Sequence, residues 1–293
     1  MLSIFEFQKR FPDEEACFHY LYEQKWPLGF VCPRCNHLEA YFIRTRKLMQ
    51  CKSCRHQASV TAGTIFHKLR QPLLVIFWAC YWFATTKKGI SSKELQRKLG
   101  IKSYQTAWTL AHKIRKAMKS SGQYPIQNDV EFDEAFLGLP DEGSESSRRA
   151  LVKAVVETDG RFIGRTYLEH LQCGTAKTIE SFIDKCVRPG VVIKTDGHPV
   201  YQFLKQHYEH RAYKMYRNKG DIEKNLPKIH IIIANLKMWL AGTFNCMPYK
   251  HAQRYLDEFC FRFNRRWKLE NIFDKLIIRA VVTAPITYAE LTG

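Results

Sequence analysis

The sequence predicts a protein of two parts: a small metal-stabilised ribbon with helices, followed by a mixed β-sheet with helices on both faces. Three observations predict this fold class, which is α+β over the whole chain and α/β in the sheet domain. Four cysteines near the start form two CxxC pairs, the next stretch has the 3.6-residue apolar period of helices, and after residue 128 the period becomes that of strands. We predict domains at residues 1–62 (N-terminal helix and ribbon), 63–127 (paired helices) and 128–293 (the sheet).

The composition limits the class of protein. Forty-six Lys and Arg residues against 28 Asp and Glu give a net charge of +18. Such an excess is typical of a protein that binds a polyanion, and we expect a nucleic acid. No apolar run is long enough to span a membrane, and the N-terminal residues lack the pattern of a signal peptide. We therefore expect no membrane partner and a cytoplasmic protein, associated with the nucleoid if the source is bacterial.

The first predicted element is an amphipathic helix over residues 11–26, which begins near Asp13. Its aromatic residues Phe18, Tyr22 and Trp26 recur every four positions. This spacing places them on one helical face, which we interpret as a packing surface.

The four clustered cysteines predict a structural zinc site. Cys32, Cys35, Cys51 and Cys54 form a CxxC-x15-CxxC pattern, and the intervening residues favour a β-hairpin. Each CxxC presents two thiolates to one tetrahedral ion, so four protein ligands leave no open position for catalysis. The zinc is therefore expected to stabilise the module. The other cysteines are interpreted as buried apolar side chains, including Cys80, Cys173 and Cys246.

The helical region begins with residues 64–86, which are apolar almost throughout and predict a buried core helix. A short helix capped by Ser91 or Ser92, a turn at Gly100 and a longer helix capped by Ser103 follow. In a basic protein this arrangement indicates a helix-turn-helix.

The helix-turn-helix pattern suggests which side chains would meet a polyanion. Lys102, Tyr104 and Gln105 lie in the first turns of the second helix, and a basic cluster spans Lys113–Arg115. We interpret these as groove and phosphate contacts. The alternative is an ordinary solvated helix face.

The third region predicts three strands, helix, strand, helix, strand and helix. The first three strands lie in residues 128–138, 148–160 and 161–171, with the second and third joined by a turn at Asp159-Gly160. This order is that of the ribonuclease-H-like fold.

Two aspartates fall where such a sheet forms an active site. Asp133 lies within the first strand and Asp196 at the end of the fourth, and these strands are neighbours in the fold. Their carboxylates could hold two Mg²⁺ ions for phosphoryl transfer. The alternatives are a strand end for Asp133 and an ordinary Asp-Gly turn for Asp196. Glu131 shares a strand face with Asp133, and is either a contact of the second metal or an exposed strand acid.

Four segments resemble a known family, the ISXO-type insertion-sequence DDE transposases. They are VEFDEAFLG, VVIKTDGHPVYQFL, NLKMWLAGTFN and KHAQRYLDEFCFRFNRR, and the CPRC and CKSC ribbon is also similar. The resemblance covers nearly the whole chain. It implies an enzyme that binds the terminal inverted repeats of its element and cuts and joins double-stranded DNA there and at a target. Asp133 and Asp196 match the first two acidic positions. Since two ends are joined, we expect at least a homodimer on DNA.

The third acidic position departs from the family pattern. Lys237 matches the basic residue of the following helix, where it would hold a DNA phosphate. Counting back seven residues reaches His230, on the same helical face, whereas Asn235 lies about 160° away around the helix. We favour His230 as the third magnesium ligand and keep Asn235 as the alternative. The C-terminal arginines contact DNA phosphate or pack against Glu258; they are Arg262, Arg265 and Arg266.

Three functions are compatible with these residues. The first is an active transposase. The second is a DNA-binding regulator derived from one, with a dead nuclease, which the non-acidic third position favours. The third is a nuclease for branched DNA, against which the ribbon and helix-turn-helix argue because they suit binding of a defined sequence.

Overall fold

The computed structural model describes residues 2–119, 122–137, 150–171, 175–213, 225–244 and 249–293. The chain divides into two compact units. One, the N-terminal unit, combines residues 1–118 with 268–293; the other, the sheet unit, comprises residues 119–267. Across the described ranges, no helix combines the length and apolarity needed to cross a membrane.

The N-terminal unit opens with two short helices and a three-stranded ribbon. Helices α1 (Ile4–Arg10) and α2 (Glu14–Lys25) are each capped by a side chain, Ser3 and Asp13. Both caps accept hydrogen bonds from backbone N–H groups of the first turn, which otherwise have no partner. The ribbon is antiparallel in the order β1-β2-β3, with strands Ala40–Ile43, Leu48–Cys51 and Gln57–Ser59 and a 3-10 turn over Arg44–Arg46.

The helical part of this unit contains five helices, α3 (Leu73–Thr85), α4 (Ser92–Leu99), α5 (Tyr104–Ala117), α9 (Ile272–Val282) and α10 (Tyr288–Thr292), with a 3-10 turn over Leu269–Asn271. The core helix predicted over residues 64–86 begins only at Leu73. Pro72 stands at its N-cap, and the preceding residues form turns because a proline favours a helix start over a helix interior. The N–H groups of Leu73 and Leu74 donate instead to the carboxylate of Glu14, at 3.1 and 2.7 Å.

The predicted helix-turn-helix elements are present. Ser91 caps α4 through the N–H of Glu94, and Gly100 ends it with a φ of +61°, a left-handed conformation that favours glycine. Ser103 precedes α5, but no hydrogen bond from its side chain caps that helix.

The sheet unit is built on five strands in the order β6-β5-β4-β7-β8. Its elements are β4 (Val130–Leu137), β5 (Ala150–Asp159), β6 (Phe162–Leu171), α6 (Ala176–Cys186), β7 (Val192–Thr195), a 3-10 helix (Pro199–Gln206), β8 (Glu209–Ala212), α7 (Pro227–Phe244), a 3-10 turn (Tyr249–His251) and α8 (Ala252–Phe263). Strands β4, β5 and β6 are antiparallel, whereas β7 and β8 run parallel to β4. This mixed sheet confirms the predicted ribonuclease-H-like order.

Each face of the sheet is covered by its own apolar core. One face packs Phe132 and Val155 against α6 residues such as Phe182. The other packs Ala154 and Val156 against residues of α7 and α8. The alternation follows from the two-residue period of strands, and it confirms helices on both faces.

The edge strand β6 is covered by side chains of the KHAQRYLDEFCFRFNRR segment. Gln253 accepts from the N–H of His170 and donates to the carbonyl of Leu168, at 2.9 and 3.2 Å. Asn264 makes the same pair of bonds with Thr166, at 2.9 Å each. These amides replace a missing neighbouring strand, so the distinctive segment closes a sheet edge that would otherwise be open to aggregation.

The two units divide the chain differently from the predicted domains 1–62, 63–127 and 128–293: residues 1–118 form part of one unit, the boundary lies after residue 118, and residues 268–293 leave the sheet unit. Residues 268–293 were assigned with 128–267, yet they belong to the N-terminal unit. Phe273 of α9 is fully buried among Phe7, Phe11 and Phe77. Burial of such an aromatic cluster explains why α9 joins residues so distant in sequence.

Candidate active site and metal centre

The two predicted aspartates occupy equivalent positions on adjacent parallel strands. Val130 of β4 pairs with Ile193 of β7, and Glu131 pairs with Lys194. Continuing this register by two residues places Asp133 beside Asp196, which directly follows β7. The two carboxylates are neighbours, because the Asp196 carboxylate acts on Asp133.

The electrostatic environment of Asp133 reflects this proximity. Burial raises the pKa of Asp133 above its usual range, and the neighbouring Asp196 carboxylate raises it further. A hydrogen bond from the backbone N–H of Glu134 and the nearby His230 side chain both lower this pKa. Oδ1 of Asp133 accepts from Glu134 N at 2.8 Å, and Oδ1 of Asp196 accepts from His198 N at 3.0 Å. A cation between the carboxylates would relieve their repulsion.

Helix α7 brings His230 to this site. His230 lies close enough to Asp133 to influence that carboxylate, and its Nε2 atom is buried without a hydrogen-bond partner among the residues described. A buried imidazole nitrogen without a partner costs free energy unless a ligand engages it. Its chemistry therefore fits a metal ligand.

His230 and Lys237 line the same groove on α7, and Asn235 does not. The groove has a volume of about 520 Å³ and is lined by Pro227, His230, Ile231, Ile233, Ala234 and Lys237. Seven residues bring Lys237 to within about 20° of His230 around the helix. Lys237 is exposed and Asn235 is half-buried outside the groove lining.

The environment of Glu131 is not that of an exposed strand acid. Its side chain is only 3% exposed, and Oε2 accepts from the backbone N–H of Ile229 in α7 at 2.8 Å. Burial raises the pKa of Glu131, while N–H groups of Ile229 and Lys228 and the charges of Lys228 and Lys194 lower it. Glu131 is thus not an exposed acid, because its buried carboxylate accepts a hydrogen bond at the start of α7.

Glu134 is an acidic neighbour that the sequence reading did not single out. It lies next to Asp133 and directly opposite Lys153 of β5. Burial raises the pKa of Glu134, and Asp133 and Asp196 raise it further. Because adjacent strand residues point to opposite faces, Glu134 contributes charge to the site from the α6 side of the sheet. The Asp-Glu pair in VEFDEAF was the sequence signal for it.

The basic cluster on α5 is not available to a phosphate. Lys113 is 4% exposed and donates to the carbonyls of Ile65 and His67, at 3.0 and 3.1 Å. Arg115 is fully buried and donates to the carbonyl of Ile90 at 3.3 Å. The interpretation of these two as phosphate contacts was wrong, because α5 is enclosed by other helices at this level.

The start of α5 has the exposure expected of a contact surface. Lys102, Tyr104 and Gln105 are all exposed, with Tyr104 at 50%.

The C-terminal arginines contact the protein itself. Arg262 is mostly buried, with its guanidinium 3.9 Å from Glu258. Arg265 donates to the carbonyl of Phe261, and Arg266 to those of Phe263 and Ile163. Of the two alternatives, packing within the sheet unit describes these side chains.

The four ribbon cysteines form one cluster. The Sγ atoms of Cys32, Cys35, Cys51 and Cys54 all lie within 4.8 Å of one another. Cys32 and Cys54 are 3.6 Å apart, as are Cys35 and Cys51. A tetrahedral ion at about 2.3 Å from each sulfur requires separations of about 3.8 Å, so the cluster fits one zinc ion.

The two halves of the cluster have the same backbone geometry. Asn36 N donates to Cys32 O and Arg55 N donates to Cys51 O, at 2.9 and 3.1 Å. Asn36 and Arg55 both have a φ of +59°. Burial would raise the pKa of Cys32, but N–H groups of Arg34 and Cys35 and the thiols of Cys54 and Cys35 lower it to about 6, while contacts with the other cluster thiols raise the pKa of Cys54 to about 12.

Of the other predicted buried cysteines, Cys80 is fully buried in α3. Cys173 and Cys246 lie outside the described residues.

Two family models match the chain. Residues 125–264 match the ISXO2-like transposase domain, and residues 12–57 match the transposase zinc-ribbon domain. No curated protein is significantly similar to the chain.

Proposed function

Because this chain belongs to the ISXO2-like transposases, we propose that it binds the terminal inverted repeats of an insertion sequence and catalyses magnesium-dependent cleavage and strand transfer of DNA there.

The observation that supports it best is the register of β4 and β7. If the pairing of Glu131 with Lys194 is continued by two residues, Asp133 comes beside Asp196 at the carboxyl end of β7. The buried Nε2 atom of His230 adds a third donor on the helix that covers this part of the sheet. Oxygen ligands suit Mg²⁺, whereas an imidazole nitrogen is a softer ligand that would bind this ion more weakly.

Each residue would then have a distinct role. Asp133 and Asp196 would hold two Mg²⁺ ions, with His230 as a weaker, neutral ligand. When bound, the ions would stabilise charge on the attacking and leaving oxygens of an in-line displacement. Lys237, exposed on the same groove, would hold a DNA phosphate and so orient the strand.

The N-terminal unit would select the DNA. Zinc held by the four ribbon cysteines would stabilise the fold of that module. The exposed residues Lys102, Tyr104 and Gln105 at the start of α5 would contact a groove and its phosphates. Because strand transfer joins two element ends, we propose that at least two copies of the chain assemble on DNA.

A second candidate function is a DNA-binding regulator with an inactive nuclease. The third ligand position holds a histidine and not a carboxylate, which favours the regulator. A neutral ligand attracts a dication less than a carboxylate does. The aligned pair Asp133 and Asp196 favours the enzyme.

The decisive experiment uses Asp133→Asn and Asp196→Asn in the whole chain. We expect both to lower Mg²⁺-dependent cleavage of a DNA bearing the element's ends by about a thousandfold or more, since metal stabilisation of the transition state is worth several kcal/mol. Binding of the same DNA should be retained, because the substitutions remove negative charge. Gel assays of cleavage and binding measure the two properties separately.

The matched control is Asp159→Asn, an exposed carboxylate in the β5–β6 turn of the same sheet. It should leave cleavage unchanged. Normal cleavage by Asp133→Asn would contradict the proposed site. A native chain that binds the ends and never cuts them, with Mg²⁺ or Mn²⁺, would instead support the regulator.

A further inference from the structure

We propose that Glu131 is a positioning residue, whose carboxylate fixes the start of α7 so that His230 faces Asp133. This inference rests on the proposed function, since it concerns how the third ligand is held. It assigns Glu131 neither to metal coordination nor to the chemistry.

The contact that carries the proposal joins two distant parts of the chain. Oε2 of Glu131 accepts from the N–H of Ile229 at 2.8 Å, and the N–H of Lys228 also points to this carboxylate. The residue after Ile229 is His230. One side chain therefore anchors the backbone immediately before the proposed ligand.

The strand side of the contact is equally close to the site. Glu131 and Asp133 are two residues apart in β4, so their side chains leave the same face of the strand. Asp133 is a neighbour of His230, while Glu131 accepts from the backbone N–H of the residue that precedes His230. The same strand thus supplies a ligand and sets the position of the helix that supplies another.

Helix α7 needs an acceptor from elsewhere. The residue before its first position, Pro227, is Leu226, whose buried side chain has no acceptor. The first N–H groups of a helix have no partner within the helix, and the helix dipole favours a negative charge beside them. Glu131 is the acceptor for these N–H groups. Because it is only 3% exposed, its hydrogen bond is shielded from water and is therefore stronger than one at the surface.

Direct coordination of a metal by Glu131 would require a free carboxylate oxygen that faces the ion. Its Oε2 is already engaged by α7, and its partner in the register of β4 and β7 is Lys194, a cation. Asp133 is the position aligned with the second acidic residue. The geometry therefore separates a capping carboxylate from a coordinating one on the same strand.

Two substitutions distinguish positioning from coordination. Glu131→Gln keeps the reach and an oxygen acceptor but removes the charge, whereas Glu131→Asp keeps the charge but loses the reach. We expect Glu131→Gln to retain most of the Mn²⁺ affinity of the whole chain, measured by calorimetry. Glu131→Asp should lose about tenfold to a hundredfold, the usual effect of removing a residue that orients a ligand.

Amide hydrogen exchange supplies a readout that does not depend on metal or activity. The N–H of Ile229 should stay protected in Glu131→Gln and exchange faster in Glu131→Asp, while amides of β5 remain protected in both. Glu209→Asp, an exposed acid on β8, is the matched control and should change neither property.

The opposite order of affinities, with Glu131→Asp close to the native chain and Glu131→Gln as weak as Asp133→Asn, would overturn the proposal in favour of coordination. Unchanged Ile229 exchange and Mn²⁺ affinity in Glu131→Asp would also overturn it. A native chain that binds no Mn²⁺ would contradict the proposed function instead, and the exchange result would still test the contact.

Discussion

Several charged residues of this protein serve the backbone of a distant element. Glu14 accepts from the first N–H groups of α3, and Glu131 does the same for α7. Lys25 donates to the carbonyls of Ser59 and Ala62 at 2.8 and 2.6 Å, and burial lowers its pKa to about 8. Lys113 holds the turn before α3 in the same way. Of the 46 Lys and Arg residues, Lys25 and Lys113 are therefore held by backbone carbonyls and are not available to a phosphate.

At the third ligand position, the substitutions His230→Ala, His230→Glu and Asn235→Ala test which side chain acts. His230→Ala should lower cleavage at least tenfold, because a ligand matters no less than the residues that orient it. His230→Glu should retain activity, since a carboxylate attracts a dication more strongly. Asn235→Ala should have a milder effect, because Asn235 lies outside the groove that His230 lines. Single-turnover cleavage with Mg²⁺ measures all three.

Circular dichroism of each variant controls for folding. Full activity of His230→Ala together with loss in Asn235→Ala would reverse the assignment of the third ligand.

Residue positions were predictable where the deciding interaction is local. The cap at Ser91, the glycine turn at Gly100 and the Asp159-Gly160 hairpin follow from neighbours within a few residues. The roles of Lys113 and Glu131 could not be predicted from nearby residues, because their hydrogen-bond partners lie 48 and 98 residues away in the sequence. Helical periodicity gives the face of a residue but not what packs against that face.

At the scale of elements, the ribbon was the most predictable part. Cysteine spacing alone identified the ligands, because two thiolates in a CxxC turn can reach one ion. The edge of the sheet was not predictable in this way. Gln253 and Asn264 bond to β6 across 83 to 98 residues, and no local pattern marks a side chain as a substitute for a strand.

Cys51→Ser should remove one zinc ion per chain and unfold the ribbon, since zinc contributes on the order of 10–16 kcal/mol to such modules. Specific DNA binding should weaken while the sheet unit stays folded. Metal analysis and amide exchange measure these effects. Cys80→Ala, which changes a buried thiol outside the cluster, should keep the zinc. A chain without zinc that still binds its DNA sequence would exclude this role.

At the scale of the whole molecule, the N-terminal unit is formed from two separated segments. Ile65 N donates to Ala280 O, and Arg279 donates to Ala117 O, at 3.1 and 2.7 Å. Arg10 and Tyr20 both contact the carboxylate of Asp274. The sequence did not reveal this closure, because α9 has the same amphipathic pattern whichever unit it covers.

Phe273→Ala tests the closure. It should destabilise the N-terminal unit by about 3–5 kcal/mol, the usual cost of removing a buried phenyl ring. Exchange of α3 amides should accelerate, while that of β5 amides should not. Val282→Ala on the same helix is the control, because Val282 is 77% exposed and such changes cost within about 0.5 kcal/mol. Equal acceleration in both units would contradict the division.

The split N-terminal unit has a consequence during protein synthesis. A ribosome completes residues 119–267 before it adds α9, so the sheet unit has all its strands while the N-terminal unit still lacks Phe273. The N-terminal unit, which is proposed to select the DNA, therefore completes its folding after the sheet unit. A nascent chain, or one interrupted near residue 267, would carry the proposed catalytic carboxylates before the unit proposed to select the DNA has folded completely.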